Sequence, residues 1–452
     1  MSSMVEFPGR FVVTRFLRLH VTRVSMVALA ASGLVVSAQR RDAFDGSFDH
    51  PAIQYRARPT TDPVSRLNTA IERGEAQLSF DPDSGYLRST LDLLRVPIES
   101  QVVVFSGGSK QAELISPRNP RAIYFNDTVA VGWVRGGAEL EIAASDSEQG
   151  VVFYALEQRQ ADRPVIRRGA GCLQCHVTWE TRGVPGLVVM STLNEPAPDD
   201  KYSYATGSFS DHRSAFIDRW GGWYVTGRTG LMRHLGNNTV LPGRKEPPLT
   251  APPPLESLKG LFESRGFLSA HSDVAALMVL EHQSTMTNLL TWANWEARLA
   301  AHQAQAGTVL PSPPGKVPAA VRVQDAVNEL VDYLLFIDEV PLAGAVAGSS
   351  GFADAFAATG PRDERGRTLR QLDLQNRLFR FPCSYLIYGE AFDRLPVLAR
   401  DAVYARMWHI LSGQETGARY ARLAKDDRQA IVEILRATKR DLPAVFGGAL
   451  VR

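Results

Sequence analysis

Two cysteines and a histidine stand close together at one place in this chain of 452 residues. Cys172 and Cys175 are three positions apart, and His176 directly follows the second cysteine. A spacing of three brings both thiols to one side of a helical turn, where they can react with a single partner. This CxxCH order is typical of covalent haem attachment, in which the thiols add to the two haem vinyl groups and the adjacent imidazole binds the iron. The motif therefore predicts one covalent haem c with His176 as the proximal iron ligand.

Three other uses of a CxxC pair are less favoured by the rest of the sequence. A zinc site needs a second pair of ligands, and the remaining cysteine, Cys383, lies far along the chain. A thioredoxin-like redox pair favours a surrounding βαβ pattern, which the flanking sequence does not have. A short structural disulfide is the third alternative. Because Cys383 stands in an apolar and aromatic segment, we expect it to be a buried, inert thiol.

The N-terminus has the pattern of an export signal. Four arginines precede the apolar run Val24–Ala38, which ends in small residues. This run is shorter than the roughly 20 residues that span a membrane. We therefore predict a signal peptide over residues 1–38 and a periplasmic or otherwise exported protein with no stable membrane span after cleavage. An uncleaved anchor and a buried first helix are the alternatives.

Export and covalent haem support each other, because a covalent link keeps an exported protein from losing its cofactor. Residues 1–38 contain four arginines and one glutamate, so their removal takes the net charge from +2 to near neutral. A near-neutral chain has no overall basic field for nucleic acid or anionic lipid, and we expect no nucleic-acid partner.

Composition divides the remaining chain into segments of different character. Apolar residues make up 44% of the sequence, which is enough for a large core. We predict an α+β fold, with an antiparallel β-rich segment followed by a loop-rich haem segment and a mainly α-helical C-terminal half. The segments are a helical one over residues 39–100, a β-rich one over 101–160, a haem c-binding one over 161–240, a helical one over 258–305 and a C-terminal helical region over 319–452.

Short β-branched and aromatic runs, separated by turn residues, predict the antiparallel sheet. From Arg167 to Asn238 the sequence is rich in glycine, aromatic residues and histidine without a sustained period, which predicts a loop-rich pocket. Proline-rich stretches at 241–254 and 311–318 predict extended connections. The predicted strands are Val102–Phe105, Ala122–Phe125, Val129–Val134, Leu140–Ala143 and Val151–Tyr154.

Helical spacing is clearest in the second half of the chain. A helix is predicted over Ser272–Leu299, with Ser272 or Asp273 as its cap and a stripe of apolar residues that also contains His282. The glycine-rich, charged segment Ala343–Arg367 is expected to be a loop. Further helices are predicted from Val321, over Leu398–Leu411 and from Asp426.

Two histidines are candidates for the distal iron ligand. His234 is the first, because it lies in a run of glycines and aromatic residues that can approach a flat porphyrin closely. His282 is the weaker candidate, since a histidine on an apolar helix face is more often a hydrogen-bonded core residue. Met190 and Met232 are less favoured.

Other polar residues in this region are expected to act around the haem or at the surface. His212 is predicted to be a surface residue or to lie just outside the iron ligands. Three arginines can form charge-assisted hydrogen bonds with haem propionates, although solvated side chains are the alternative. These arginines are Arg182, Arg213 and Arg233.

At Cys172–His176 the chain resembles the c-type cytochromes. The resemblance implies covalent haem at Cys172 and Cys175, iron ligation by His176, export and one-electron transfer. It is confined to the attachment motif, because no segment clearly matches the loop that carries the distal methionine in small class I cytochromes. The predicted sheet, the glycine- and tryptophan-rich segment and the helical tail look similar to large, exported, single-haem proteins of unassigned role, a resemblance that implies no particular substrate.

Two classes of function follow from these expectations. The first is an exported c-type cytochrome that exchanges electrons with a redox partner protein, for which an enzymatic role, as an oxidoreductase, is less favoured. The second is a haem enzyme, small-ligand binder or sensor with an open or labile distal iron position. In that case Trp220, Trp223, Tyr224 and His234 are expected to line the distal pocket.

Overall fold

The chain divides into two compact units, Met1–Arg58 and Pro59–Arg452. The computed structural model describes residues 48–169, 171–192, 207–238, 254–305 and 317–449. The predicted signal peptide and most of the two proline-rich stretches lie outside these residues. In the first unit, the described residues form turns in which the rings of Phe48 and Tyr55 pack edge to face.

Nine strands occur in the described residues of the second unit, and seven of them form its main antiparallel sheet. The strands are β1 (Val102–Val104), β2 (Arg121–Phe125), β3 (Val129–Val134), β4 (Glu139–Asp146), β5 (Gly150–Glu157), β6 (Ile166–Arg168), β7 (Met190–Thr192), β8 (Gly207–Phe209) and β9 (Trp223–Tyr224). The sheet has the order β6-β5-β4-β3-β2-β1-β9, and β7 pairs with β8 separately. Its five central strands confirm the predicted antiparallel sheet.

Most of the helices follow the sheet along the chain. The α-helices of the described residues are α1 (Pro63–Glu72), α2 (Leu87–Leu94), α3 (Leu173–His176), α4 (Val274–Gln305), α5 (Ala319–Leu334), α6 (Phe352–Ala358), α7 (Glu390–Asp393), α8 (Val397–Leu411) and α9 (Lys425–Thr438). The protein therefore has the predicted α+β class. Within these residues no helix has both the length and the apolar character needed to cross a membrane.

Helix α4 is the central element of the second unit. The Asp273 carboxylate accepts hydrogen bonds from the backbone N–H groups of Ala275 and Ala276, at 2.8 and 3.2 Å, and so acts as the predicted N-cap. The helix extends beyond its predicted end to Gln305. It is buried on almost every side as far as Ala297 and not along one stripe alone, because the sheet and the later helices both pack around it.

Two segments predicted to be irregular contain short regular elements. Strands β7, β8 and β9 lie between Arg167 and Asn238, and helix α6 lies in the predicted loop Ala343–Arg367. These strands are only two or three residues long, so they depend on pairing partners that a local pattern does not show. Helix α6 is held by its buried Phe352 and Phe356.

Candidate functional site

The CxxCH sequence forms a single turn of helix. Helix α3 begins after Cys172, whose carbonyl accepts hydrogen bonds from the backbone N–H groups of Cys175, at 3.2 Å, and His176, at 3.1 Å. This confirms the helical turn inferred from the spacing. Both thiols are free, with Cys172 half-buried and Cys175 exposed, so both remain available for covalent chemistry.

The helical turn packs on one face of the sheet. Ala143 on β4 and Phe153 on β5 are paired residues, and together with Val151 they form a small apolar cluster. Cys172, Leu173 and Leu187 pack against this cluster. The motif is therefore anchored on strands β4 and β5, although its own segment is short and mostly irregular.

The orientation of the His176 ring is set by one hydrogen bond and one ring contact. Its Nδ1 lies 2.9 Å from the carbonyl oxygen of Gly186, and its ring centroid lies 4.4 Å from that of Phe153. A carbonyl can only accept, so Nδ1 carries the proton and Nε2 keeps its lone pair. Burial also lowers the pKa of His176, which favours the neutral ring. A neutral imidazole with a free Nε2 is the form that binds a metal.

The Gly186 carbonyl, which orients His176, is itself held in place through the next residue, Leu187. The side chain of Asn288 on α4 accepts the N–H of Leu187 at 2.9 Å and donates to the Leu187 carbonyl at 2.7 Å. A Cβ atom on Gly186 would lie 2.2 Å from the Asn288 Oδ1 atom, so a larger residue would displace this contact. Asn288 and Gly186 were not predicted from the sequence, because their contacts join positions about a hundred residues apart.

An ion pair lies close to the motif. Arg121 Nη2 and Glu141 Oε2 are 2.5 Å apart, and both side chains are mostly buried. The absence of a side chain at Gly132 makes room for this guanidinium. Burial raises the pKa of the Cys172 thiol, while nearby Lys110 acts in the opposite direction and Glu141 adds to the rise. Charges of both signs therefore surround the motif.

The first distal candidate, His234, is a buried imidazole. Its ring packs edge to face on Trp220, with centroids 4.9 Å apart, and burial lowers its pKa to about 4. Its Nδ1 is buried without a hydrogen-bond partner. Among the described residues, no hydrogen bond or ring contact joins His234 to the CxxCH segment.

The second candidate, His282, is fully buried and hydrogen-bonded at both ring nitrogens. Nε2 lies 2.8 Å from the Ser384 hydroxyl, and Nδ1 lies 3.0 Å from Nδ1 of His212. These are the contacts expected of a core histidine. The prediction of a surface position for His212 is wrong, because its side chain is buried and stacks on Tyr333 with centroids 4.0 Å apart.

The other candidates near the motif have partners within the protein. Arg182 and Arg213 both pair with the carboxylate of Glu329, at 3.2 and 2.9 Å. Arg233 is exposed, Met190 is half-buried and Met232 belongs to the main core. The described contacts bring none of these side chains to His176.

The polar ends of the expected pocket-lining residues are also engaged. The Trp220 indole N–H donates to the buried Glu281 carboxylate at 2.9 Å, and the Trp223 N–H donates to the Met190 carbonyl at 2.7 Å. The Tyr224 hydroxyl donates to the Pro117 carbonyl at 2.8 Å. These aromatic side chains are part of the packed interior.

The residues of the CxxCH segment fit the chemistry of covalent haem. They provide two free thiols on one helical turn, an imidazole whose Nε2 keeps its lone pair, and an apolar wall from Phe153 and Leu187. Within the residues that the structure describes, no cluster of three or more His, Cys, Asp or Glu side chains could hold a metal ion. Comparison of the chain with protein-family models, with curated proteins and with solved structures gives no match.

Proposed function

We propose that this protein is an exported c-type cytochrome that holds one covalent haem and exchanges electrons with a redox partner protein. Cys172 and Cys175 would form the two thioether links, and His176 would bind the iron through Nε2. The observation that carries the proposal is the hydrogen bond from His176 Nδ1–H to the Gly186 carbonyl, at 2.9 Å. Histidines that bind metals almost always donate their other ring N–H in this way, which fixes the tautomer and makes the ligand more basic.

The protein's own residues would control how the cofactor is held. Bound haem supplies an iron that changes its charge by one electron. Phe153 and the Gly186 carbonyl hold the His176 ring from two directions, so they would keep it oriented as an iron ligand. The ion pair of Arg121 and Glu141 provides fixed charges nearby, and such charges adjust a reduction potential.

The proposal is tested by producing the full chain together with a haem-attachment apparatus. We expect a protein mass increased by one haem and a Soret band that survives denaturation, because thioether links are covalent. The Cys172→Ala, Cys175→Ala double variant should lose both signals. Cys383→Ala is the matched control, since this cysteine is buried away from the motif and should keep its haem. A bare polypeptide mass and no Soret band in the unchanged protein would reject the proposal.

A second candidate function is a haem enzyme or small-ligand binder with an open distal position. It is favoured by one observation, namely that the described contacts place neither His234 nor His282 against the CxxCH segment. Rapid carbon monoxide binding to the reduced protein would support this second function. No binding would support a closed electron carrier.

The distal ligand itself can be identified by comparing two single variants. If His234 binds the iron, His234→Ala should convert low-spin haem to high-spin haem, while His282→Ala should leave the spin state unchanged. The reverse result would assign His282, and a spin state unchanged in both variants would reject both histidines.

A further inference from the structure

A cavity of about 180 Å³ lies in the second unit, between the sheet, helix α4 and the loops of the helical half. It has room for several water molecules or for one small molecule. The sheet contributes residues from two of its turns, α4 contributes Thr287, and the loop after α6 contributes Gly360. None of the residues around the cavity belongs to the CxxCH segment.

The wall of the cavity contains a buried arginine, Arg370, which is 8% exposed. Its guanidinium carbon lies 3.9 Å from the ring centroid of Phe356 and 4.5 Å from that of Tyr385. Nε donates to the Phe356 carbonyl at 3.0 Å, and Nη1 donates to the Asp127 carboxylate at 2.8 Å. These four contacts fix the orientation of the side chain.

One guanidinium nitrogen of Arg370 remains free to donate. Nη2 donates no hydrogen bond to the described residues, and it is not among the polar atoms that are buried without a partner. The backbone of Gly360 gives the side chain its space, because a Cβ atom there would lie 2.7 Å from Arg370 Cδ. A fixed arginine with one free edge is suited to binding planar or tetrahedral oxyanions.

Two arginines and two carboxylates line the cavity, so their formal charges balance, but they differ in whether an ion pair engages them. Arg370 pairs with Asp127, and Glu390 is paired from outside the cavity by Arg394, at 3.7 Å. The remaining charged residue of the wall is Arg66, which forms no ion pair among the described residues and donates to the backbone carbonyl of Thr61. The Arg66 guanidinium is therefore the charge of the wall that is available to an anion.

Two hydroxyl groups add neutral donors to the same cavity. The side chains of Ser145 and Thr287 line the wall, and neither hydroxyl has a hydrogen-bond partner among the described residues. Thr287 is 8% exposed, so its hydroxyl would lose much of its contact with water if the cavity held an apolar group. Unpaired donors at such depth favour a ligand made of acceptors.

We propose that this cavity binds a small oxyanion, a carboxylate or a phosphate, through Arg370, Arg66 and the hydroxyls of Ser145 and Thr287. Arg370 Nη2 provides a charge-assisted hydrogen bond, and Arg66 at the exposed side provides a second guanidinium that no carboxylate of the described residues pairs with. The site is independent of haem attachment, because it shares no residue with the CxxCH segment.

The experiment is a calorimetric titration of the purified full chain with acetate and, separately, with inorganic phosphate. Binding of either anion in the millimolar range or tighter supports the site and shows which oxyanion it prefers. Loss of one charge-assisted hydrogen bond corresponds to a roughly tenfold to hundredfold weaker affinity, so we expect that loss in Arg370→Gln.

Because Arg370→Gln changes a buried residue and can fail to fold, two further variants keep the test decisive. Arg66→Gln alters an exposed side chain, and Thr287→Val keeps the shape of the side chain while removing its hydroxyl. Both should weaken binding, whereas Arg362→Gln, at an exposed arginine outside the cavity wall, should not. No binding of either anion, or an affinity unchanged in both Arg66→Gln and Thr287→Val, would overturn the proposal.

Discussion

A carboxylate is costly to bury unless hydrogen bonds compensate for lost water, and Glu281 receives such bonds from specific donors. Glu281 on α4 is fully buried and accepts hydrogen bonds from Arg219 at 3.3 Å, from the Trp220 indole at 2.9 Å, and from the Ser210 hydroxyl. Burial raises its pKa, while Arg219 and the two neutral donors oppose the rise. Removing one partner from such a cluster leaves a buried polar group unsatisfied, which costs more than the bond itself contributes.

A second buried acid, Glu339, provides a prediction about pH. Burial raises its pKa to about 7, so the folded protein keeps a proton that the unfolded chain releases at a lower pH. The contribution of Glu339 to the free energy of unfolding is fully present below pH ~4.5 and is lost as the pH rises through ~7. We expect Glu339→Gln to be more stable than the unchanged protein at pH 8, by up to about 3 kcal/mol, and nearly equal to it at pH 5. Denaturant unfolding at both pH values measures the difference.

The opposite dependence of stability on pH is expected for Glu433, which serves as the control. Hydrogen bonds from Gln429 and Arg367 lower the pKa of Glu433. Its contribution is present above its unfolded pKa and is lost as the pH falls, so Glu433→Gln should be destabilised at pH 8, by less than about 1 kcal/mol because the site is partly exposed. If Glu339→Gln were also destabilised at pH 8, the prediction would be wrong, because Glu339 would then be ionised and well paired in the folded protein.

At the scale of elements, α4 joins parts of the chain that are distant in sequence. Three consecutive buried side chains point to different partners: Glu281 to the Ser210–Trp220 segment, His282 to Ser384, and Gln283 to the sheet. Two turns later, Asn288 holds the Leu187 backbone next to the carbonyl that binds His176. This helix therefore positions the candidate haem ligand through the Gly186–Leu187 backbone.

Substitution of Asn288 tests this positioning. Asn288→Ala removes both hydrogen bonds to Leu187 and should destabilise the protein by about 2 kcal/mol. It should also speed hydrogen exchange at the Leu187 amide and, in the haem-loaded protein, shift the reduction potential, because the His176 ring is then less firmly held. Exchange measured by NMR and potentiometry report the two effects separately.

Asn294→Ala is the matched control for that prediction. Asn294 is also buried on α4, but its amide donates to the Ser147 carbonyl, at 3.4 Å, and not to the segment after the motif. A loss of stability without a change in Leu187 exchange or in potential is expected for this variant. If both variants had the same reduction potential as the unchanged protein, Asn288 would have only a structural role.

At the scale of the whole molecule, a single apolar cluster connects the sheet with the helices. It contains Val102 and Phe125 from the strands, Leu277 from α4, and Ile434 from α9. Because no boundary interrupts this cluster, we expect residues 59–452 to unfold cooperatively. Ile434→Ala, a core truncation that costs about 2–5 kcal/mol, should therefore lower the protection of the strand amides as well as that of α9. Hydrogen exchange followed by mass spectrometry would detect this, and strands that stay protected after α9 has opened would contradict it.

The main elements could be predicted because their patterns are local. The strands of the central sheet alternate with turn residues, and the Asp273 cap begins a long apolar helix, so the sheet and α4 were recognisable. The placement of His212 was not, because Asp211 and Arg213 on either side suggest a surface turn while its own ring lies between core aromatic residues. Strand β9 was likewise missed, since it consists of two residues that pair with the distant β1.

The order of residues alone determined the candidate chemistry, because thiol spacing and an adjacent imidazole are properties of five consecutive positions. It also determined the α+β class, since strand and helix periods are short. The tertiary structure decided which His176 nitrogen is free, which helix positions Gly186, and that Arg370 and Arg66 share a cavity. These features join residues separated by ten to three hundred positions, and such contacts form only when packing of the whole core brings distant segments together.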